Sequence, residues 1–350
     1  MKAALKTSEG TFAVREVDRP ELPGEDWVMI RVRVAGICGT DLRHWRKHEH
    51  DLEGHIMGHE LAGDVVLTGS EVTNVTAGDR VVAETVLGCG KCEYCRARRP
   101  NICPDLYPTR TQTVSRAYGQ FLVAPASHVY RLPDHITFEE AALVDTFSVC
   151  LHAHHLSGLT INDRVAIIGA GPIGLGQAML AKASGADVLI LDPVPHTLQA
   201  AQDLGADVTV NPETDDPVAA AKAFSGGRGV DIVFECAGGD SMPQTLPLAT
   251  QMVRRGGKVV IVGGFNAGVT EIGLEWQRMQ MSEIQLIPSA SFAWWALDKE
   301  QGQVVELLGK GKLDASRLIT HRFPLDRINE AFACLEDKAR TGAIFIAIEM

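Results

Sequence analysis

Long apolar runs are missing from this sequence: none approaches the roughly 18 residues that a membrane-spanning helix needs, so no membrane partner is expected. The first ten residues, MKAALKTSEG, lack the basic and apolar regions of a signal peptide, and the expectation is a protein of the reducing cytoplasm. Positive charge is also scarce, with 33 Lys plus Arg against 44 Asp plus Glu and a net charge of -11. The one compact basic cluster is RARR at Arg96 to Arg99. A field of that sign opposes wholesale binding to phosphate backbones, so no nucleic-acid partner is expected. Low-complexity tracts, charge blocks and internal repeats are absent as well, which excludes repeat architectures.

What is present is length and cysteine. At 350 residues the chain exceeds the range in which one hydrophobic core usually keeps growing, so two domains are expected and cysteines are not needed merely to stay folded. Four of the eight cysteines nonetheless crowd into GCGKCEYCRARRPNIC, residues 88–103, at a spacing of C-x2-C-x2-C-x7-C. A nucleic-acid zinc module, a redox or iron-sulfur site, a disulfide framework and a metal clip inside a larger protein all use such knots. Net charge argues against the first. In a reducing compartment, clustered thiols read as metal ligands before disulfides.

Two textures follow one another along the chain. Residues 27–35, WVMIRVRVA, alternate Ile30, Val32 and Val34 with Arg31 and Arg33, the period of a half-buried strand. Short strand-like pieces such as DVVLTG and DRVVAE follow, separated by Gly and Asp turns, so the first ~145 residues read as mainly β. From about residue 162, six apolar runs (VAIIG, VLILD, VTVN, VDIVFEC, KVVIVGG and EIQLIPS) alternate with helix-like segments. Continuous apolar strands bracketed by helices imply a parallel sheet covered on both faces, and six of them suffice for a doubly wound dinucleotide fold. The tail from about 291 carries a helix and then an apolar strand, whose docking partner local pattern does not reveal.

VAIIGAGPIGLG sets Gly169, Gly171 and Gly174 as G-x-G-x-x-G directly after a strand and at the start of a helix. Gly169 permits the tight turn, Gly171 lets the backbone approach a pyrophosphate, and Gly174 lets helix and strand pack closely, with Pro172 and Ile173 completing the loop. Asp192 ends the next strand, where it can accept hydrogen bonds from a ribose and repel a 2'-phosphate; PVPHT after it offers no Arg or Lys. The expectation is NAD rather than NADP. Elsewhere Cys38 in AGICGTD, His59 and Glu60 in MGHEL, and Asp145 in AALVDTFSV supply thiolate, imidazole and carboxylate, the ligand types of Zn2+. Spacing alone does not show that they meet.

Taken in order, GICGTD, GHE, CGKCEYCRARRPNIC, LVDTFSVCLHA, VAIIGAGPIGLG, VDIVFECAGG, GGKVVIVGG and LITHRFPLDRINEAF resemble, nearly end to end, the zinc-dependent medium-chain dehydrogenases, which include alcohol, sorbitol and threonine dehydrogenases. The resemblance implies an α/β fold with a GroES-like β-rich catalytic domain over 1–146, a Rossmann doubly wound parallel sheet domain over 147–290, and a segment 291–350 returning to the first. It implies two zinc ions per subunit. One is structural, on Cys89, Cys92, Cys95 and Cys103, where four thiolates leave no position for substrate. The other is catalytic, on Cys38, His59 and an acid, Glu60 or Asp145; Asp145 stands where relatives carry Cys or Glu.

The implied reaction is reversible, NAD-linked oxidation of a secondary alcohol to a ketone, with zinc as Lewis acid. Thr40 matches the family's Ser or Thr beside the zinc cysteine and would pass the substrate proton on. Many relatives have a His where this chain has Arg43, and His44, one later, is the candidate relay. Arg340 matches a basic position that contacts the cofactor pyrophosphate. His152, His154 and His155 read as helix residues, and Cys150, Cys236 and Cys334 as core. Sorbitol-like relatives often place an Arg where this chain has Ala293, ahead of Trp294 and Trp295. A polyol, sugar, cyclitol or amino alcohol is the leading substrate class and a simpler secondary alcohol the alternative. Arg43, Arg46 and Lys47 near the rim keep phosphorylated substrates open. A homodimer or homotetramer is expected, and a zinc-containing nucleotide- or nucleic-acid-binding protein is the non-enzymatic alternative.

Overall fold

The computed structural model describes residues 1–8, 10–46, 52–84, 87–106, 116–264 and 271–350. The chain divides into two compact units, one of Met1–Asp145 with Phe292–Met350 and one of Thr146–Ser291.

Alternation builds the first unit. Strands β1 (Lys2–Lys6) and β2 (Phe12–Glu16) form an antiparallel hairpin. In β3 (Trp27–Gly36), Val28, Ile30 and Val32 are buried while Arg31 and Arg33 point outward, both to Asp64. Strands β4 (Leu61–Thr68), β5 (Arg80–Ala83), β6 (Phe121–Pro125) and β7 (Val129–Arg131) follow; β4 and β6 flank β3 antiparallel, and β5 joins β4 to β7. Each fully buried Val or Ile in this sheet contributes about 1.5–3 kcal/mol relative to exposure, so the inward row fixes the register.

The second unit is a parallel sheet of β8 (Arg164–Ile168), β9 (Asp187–Leu191), β10 (Val208–Val210), β11 (Val230–Glu235), β12 (Val253–Ile261) and β13 (Gln285–Pro288), in the order β10-β9-β8-β11-β12-β13. Helices Pro172–Ala183, Pro195–Asp203, Pro217–Phe224 and Met242–Met252 connect the strands. Val165, Ala166 and Ile167 of β8 and Val188, Leu189 and Ile190 of β9 are wholly buried, which explains their unbroken apolar runs. Strand order reverses between β8 and β11. In such sheets that reversal opens a crevice at the carboxyl ends of the strands.

The tail adds a short ladder, β14 (Trp294–Trp295) with β15 (Asp298–Lys299), and then β16 (Ile319–Pro324) and β17 (Phe345–Glu349), which pair parallel. Strand β17 runs antiparallel to β3, with Ala347 opposite Gly36. The last strand of the chain thus closes on the first unit's central strand, a long-range pairing that local pattern could not reveal.

Lys299 pins this returning segment: its Nζ lies 2.9 Å from Glu84 Oε2, with the two side chains 12% and 1% exposed. The Tyr130 hydroxyl donates to the same oxygen at 3.1 Å. Burial pushes the Glu84 carboxyl above its usual range even with Lys299 opposing. Removing one member of a buried pair strands the other, so Lys299→Met is expected to lower the unfolding free energy by about 3 kcal/mol, and adding Glu84→Gln to recover part of that loss. Urea titrations of the three proteins measure both effects.

Candidate active site

The site begins with the register of β3 and β4. Ala35 pairs with Leu61, and the Gly36 N–H donates to the Glu60 carbonyl at 2.8 Å. Cys38 therefore leaves β3 at the corner where His59 and Glu60 enter β4. One ligand atom from each of Cys38, His59 and Glu60 lies within 4.8 Å of the others. Gly36 makes room for this: a Cβ there would stand 2.2 Å from Glu60 Oε2 and 2.6 Å from the Phe345 ring on β17.

The helix Gly39–Arg46 carries the next shell. Its buried Asp41 accepts the Cys38 N–H at 3.2 Å and the Tyr118 O–H at 2.9 Å through Oδ2, which also sits 3.7 Å from His59 Nδ1. A carboxylate on the Nδ1 side of the ring is the kind of outer partner that metal-binding imidazoles keep. Burial, with Asp41 adding, holds the Tyr118 hydroxyl well above its usual range, so it remains a donor. Burial and then the negative charge of Asp41 push the Cys38 thiol up to about 11, with Thr40 partly opposing. A thiol, an imidazole and carboxylates gathered out of water fit a divalent zinc ion, since a bound cation reverses that balance and deprotonates the thiol.

Asp41 and Tyr118 were not singled out in the sequence. Asp41 closes the GICGTD motif, and the need of a ligating histidine for a carboxylate partner was the available signal. Tyr118 has no local signal, because pairing of Tyr118 N–H with the Met57 carbonyl brings it in from far along the chain.

Asp145 lies in the first turn of the helix Val144–Ser157, buried, outside the cluster of Cys38, His59 and Glu60 but close enough for its charge to act on Cys38. The buried Thr40 Oγ1 lies beside the Cys38 thiol, and its hydroxyl partly offsets the burial of that thiol. His44 is half-buried on the same helix, four residues and about one turn beyond Thr40. Arg46 is tied to Glu336 at 2.8 Å. Lys47 lies outside the described residues. His152, His154 and His155 follow the helix Val144–Ser157, with His154 Nε2 3.1 Å from Ser184 Oγ. Cys150 is buried with its Sγ 3.2 Å from the Ile173 carbonyl, Cys236 is half-buried, and Cys334 packs against the first unit's core.

Cys89, Cys92, Cys95 and Cys103 form a second cluster, each sulfur within 4.8 Å of the others. The N–H groups of Cys89, Cys92 and Cys95 point at the sulfurs of Cys103, Cys89 and Cys92 at 3.3, 3.4 and 3.4 Å. Backbone N–H groups of Lys91 and Cys92 draw the Cys89 thiol down to about 7. Cys92 and Cys103 sulfurs stand 3.8 Å apart, and none of the eight cysteines is in a disulfide. Four sulfurs at Zn–S distances of about 2.3 Å have tetrahedral edges of about 3.8 Å, so this cluster also fits zinc, with no position left open.

In the second unit Gly169 has φ +95, and a Cβ on it would meet the Ala237 backbone at 3.0 Å; one on Gly174 would meet the Gly169 carbonyl at 1.8 Å. Gly171 caps the helix Pro172–Ala183 with Pro172 in its first turn, and among the described residues nothing lies within 4 Å of where its Cβ would be. That leaves an open approach to a helix N-terminus, as a pyrophosphate requires. Buried Asp192 accepts the Ala170 N–H at 2.8 Å and the Val194 N–H at 2.9 Å, bracing the glycine loop from the end of β9. Arg340, in the first unit, is 78% exposed and paired with Asp337 at 2.6 Å.

Residues 24–134 match the alcohol dehydrogenase GroES-like domain and residues 172–308 the zinc-binding dehydrogenase domain. Sorbitol dehydrogenase of Bacillus subtilis (strain 168) is 34% identical over 336 residues, covering 95% of this chain and 92% of that protein. The chain belongs to the zinc-dependent medium-chain dehydrogenase family. D-arabitol-phosphate dehydrogenase of Enterococcus avium is 32% identical to this dehydrogenase, covering 98% and 95% of the two chains. Among solved structures, an Escherichia coli oxidoreductase/dehydrogenase of unknown specificity superposes with a TM-score of 0.90 at 30% identity, covering 100% of this chain and 99% of that one. The protein is accordingly a zinc-dependent oxidoreductase acting on CH–OH.

Asp41→Asn keeps the shape beside His59 but removes the charge 3.7 Å from its Nδ1. Its zinc affinity at the Cys38 site is expected to fall about 10–100-fold with the four-cysteine ion retained, as measured by chelator competition and metal analysis.

Proposed function

We propose that this dehydrogenase oxidises a secondary alcohol within a polyol, sugar, cyclitol or amino alcohol to the ketone, reversibly and with NAD, at a centre built on Cys38, His59 and Glu60. The convergence of those three ligand atoms at the β3–β4 corner carries the reading. Zinc held there supplies a Lewis acid that lowers the pKa of a hydroxyl, and the nicotinamide supplies the hydride acceptor. Asp41 orients His59. Thr40 takes the hydroxyl proton and passes its own onward, and His44, one turn further along the helix, is the next carrier. Asp145, one methylene shorter than the Glu of some relatives, stands by as an outer acid. The four-cysteine cluster takes the second zinc in a structural role.

The NAD preference rests on Asp192. Its two oxygens are held by backbone N–H groups, so the carboxylate cannot swing away from a 2'-phosphate, and no Arg or Lys follows in PVPHT. The polyol class draws support from the relatives that act on sorbitol and arabitol phosphate. A simpler secondary alcohol is the second reading, favoured at Ala293: it is buried and offers no side-chain donor, and its N–H is already bonded to Glu300 Oε2 at 2.8 Å.

Zinc per subunit is measured in wild type and Cys38→Ser, with NAD and NADP reduction followed on secondary alcohols, polyols, polyol phosphates and amino alcohols. The expected outcome is two zincs falling to one with activity lost and fold kept, and kcat/KM at least about tenfold higher with NAD. One zinc in both proteins, with no turnover on any substrate, would sink the proposal. Equal or better turnover with NADP would overturn the role of Asp192 alone.

A further inference from the structure

Three turns meet at the carboxyl ends of β8, β11 and β12. Cys236 N–H donates to the Ile168 carbonyl at 2.8 Å, Gly239 N–H to the Gly264 carbonyl at 2.7 Å, and Val262 and Gly263 both donate to the main-chain carbonyl of Glu235 at 2.9 Å. The backbones touch. A Cβ on Gly263 would stand 2.5 Å from Gly238 N, and one on Gly238, at φ +60, would stand 2.9 Å from Gly263. Ala237, between them, is the residue against which Gly169 of the dinucleotide loop packs.

The Glu235 side chain fills the middle of this junction and is fully buried. Its Oε1 accepts the Gly238 N–H at 3.0 Å and the Thr245 hydroxyl at 2.8 Å, while Oε2 is buried with no hydrogen-bond partner among the described residues. Burial pushes the carboxyl above its usual range against those two bonds and the nearby Ala237 N–H. Mere filling of the space would favour an apolar side chain, because a buried polar atom left unbonded costs free energy. The carboxyl instead links the turn after β11 to the helix Met242–Met252 and sits against the turn after β12.

A dinucleotide lies across the reversal of strand order, one nucleoside on each side. Asp192 lies on the β9 side, so the β11 and β12 turns face the other nucleoside. We infer that Glu235 is a positioning residue for the cofactor, holding the β11 and β12 turns against the glycine loop so that the nicotinamide half has a formed seat. The inference rests on the cofactor reading proposed above.

The test compares binding of NADH and of AMP, which carries only the adenosine half, to the zinc-loaded protein and its variants, by fluorescence and calorimetry with thermal unfolding as a fold control. Glu235→Ala is expected to weaken NADH about tenfold and leave AMP within about twofold, whereas Glu235→Gln, which keeps an acceptor and a neutral shape, stays near wild type. Unchanged NADH binding in a folded Glu235→Ala protein overturns the inference, as does an equal loss of NADH and AMP, which is general loosening. Should Glu235→Ala not fold, Thr245→Val decides: NADH weakened about threefold with AMP unchanged supports the role, and unchanged NADH overturns it. A wild-type protein that binds AMP but not NADH overturns the inference, and one that binds neither overturns the cofactor reading with it.

Discussion

The hydrogen bond from Gly36 N–H to the Glu60 carbonyl is the point on which the candidate active site turns. It extends the β3–β4 register past the last strand residues, so that Cys38 leaves one strand where His59 and Glu60 enter the other. A slip of one residue would turn every side chain of the slipped strand to the other face and carry its inward row out of the core. The same burial that stabilises the sheet therefore sets the ligand geometry. Strand β17 completes the arrangement from the far end of the chain, placing Phe345 against Gly36 so that only a glycine fits between that ring and Glu60.

Among the described residues, the two clusters of metal-ligand type in the first unit are built differently. At Cys38 the thiol is pushed up by burial and by Asp41, and the neighbouring groups are carboxylates and an imidazole, a setting that a cation relieves. In the four-cysteine lobe the sulfurs of Cys103, Cys89 and Cys92 receive backbone N–H groups from within the same short loop, which winds the chain around one position. Three ligands leave room for a substrate, and four do not. On the proposed reading, that difference separates a centre for chemistry from a clip.

Much of this was legible in the sequence because it is local. Alternation in residues 27–35, six apolar runs, the glycine fingerprint and the four-cysteine spacing each describe short-range geometry, and the strands, the doubly wound sheet and the lobe follow them. The less legible parts depend on pairing between distant segments. The β17–β3 ladder, the arrival of Tyr118 at Asp41 and the Lys299–Glu84 pair have no short-range pattern. Asp192 shows a different limit: its place at a strand end was readable, but not that backbone N–H groups from both sides hold its two oxygens. Asp145 and Glu60 looked equivalent as sequence, and only the fold distinguishes the acid inside the cluster from the one beside it.

The central claim is that Cys38, His59 and Glu60 form a metal centre separate from the four-cysteine lobe. Anomalous diffraction at the zinc edge from crystals of the protein as purified tests it most directly. The account predicts two peaks, one among Cys38, His59 and Glu60 and one at the centre of Cys89, Cys92, Cys95 and Cys103. A single peak in the lobe, in protein that turns over an alcohol with the nicotinamide cofactor, would contradict it.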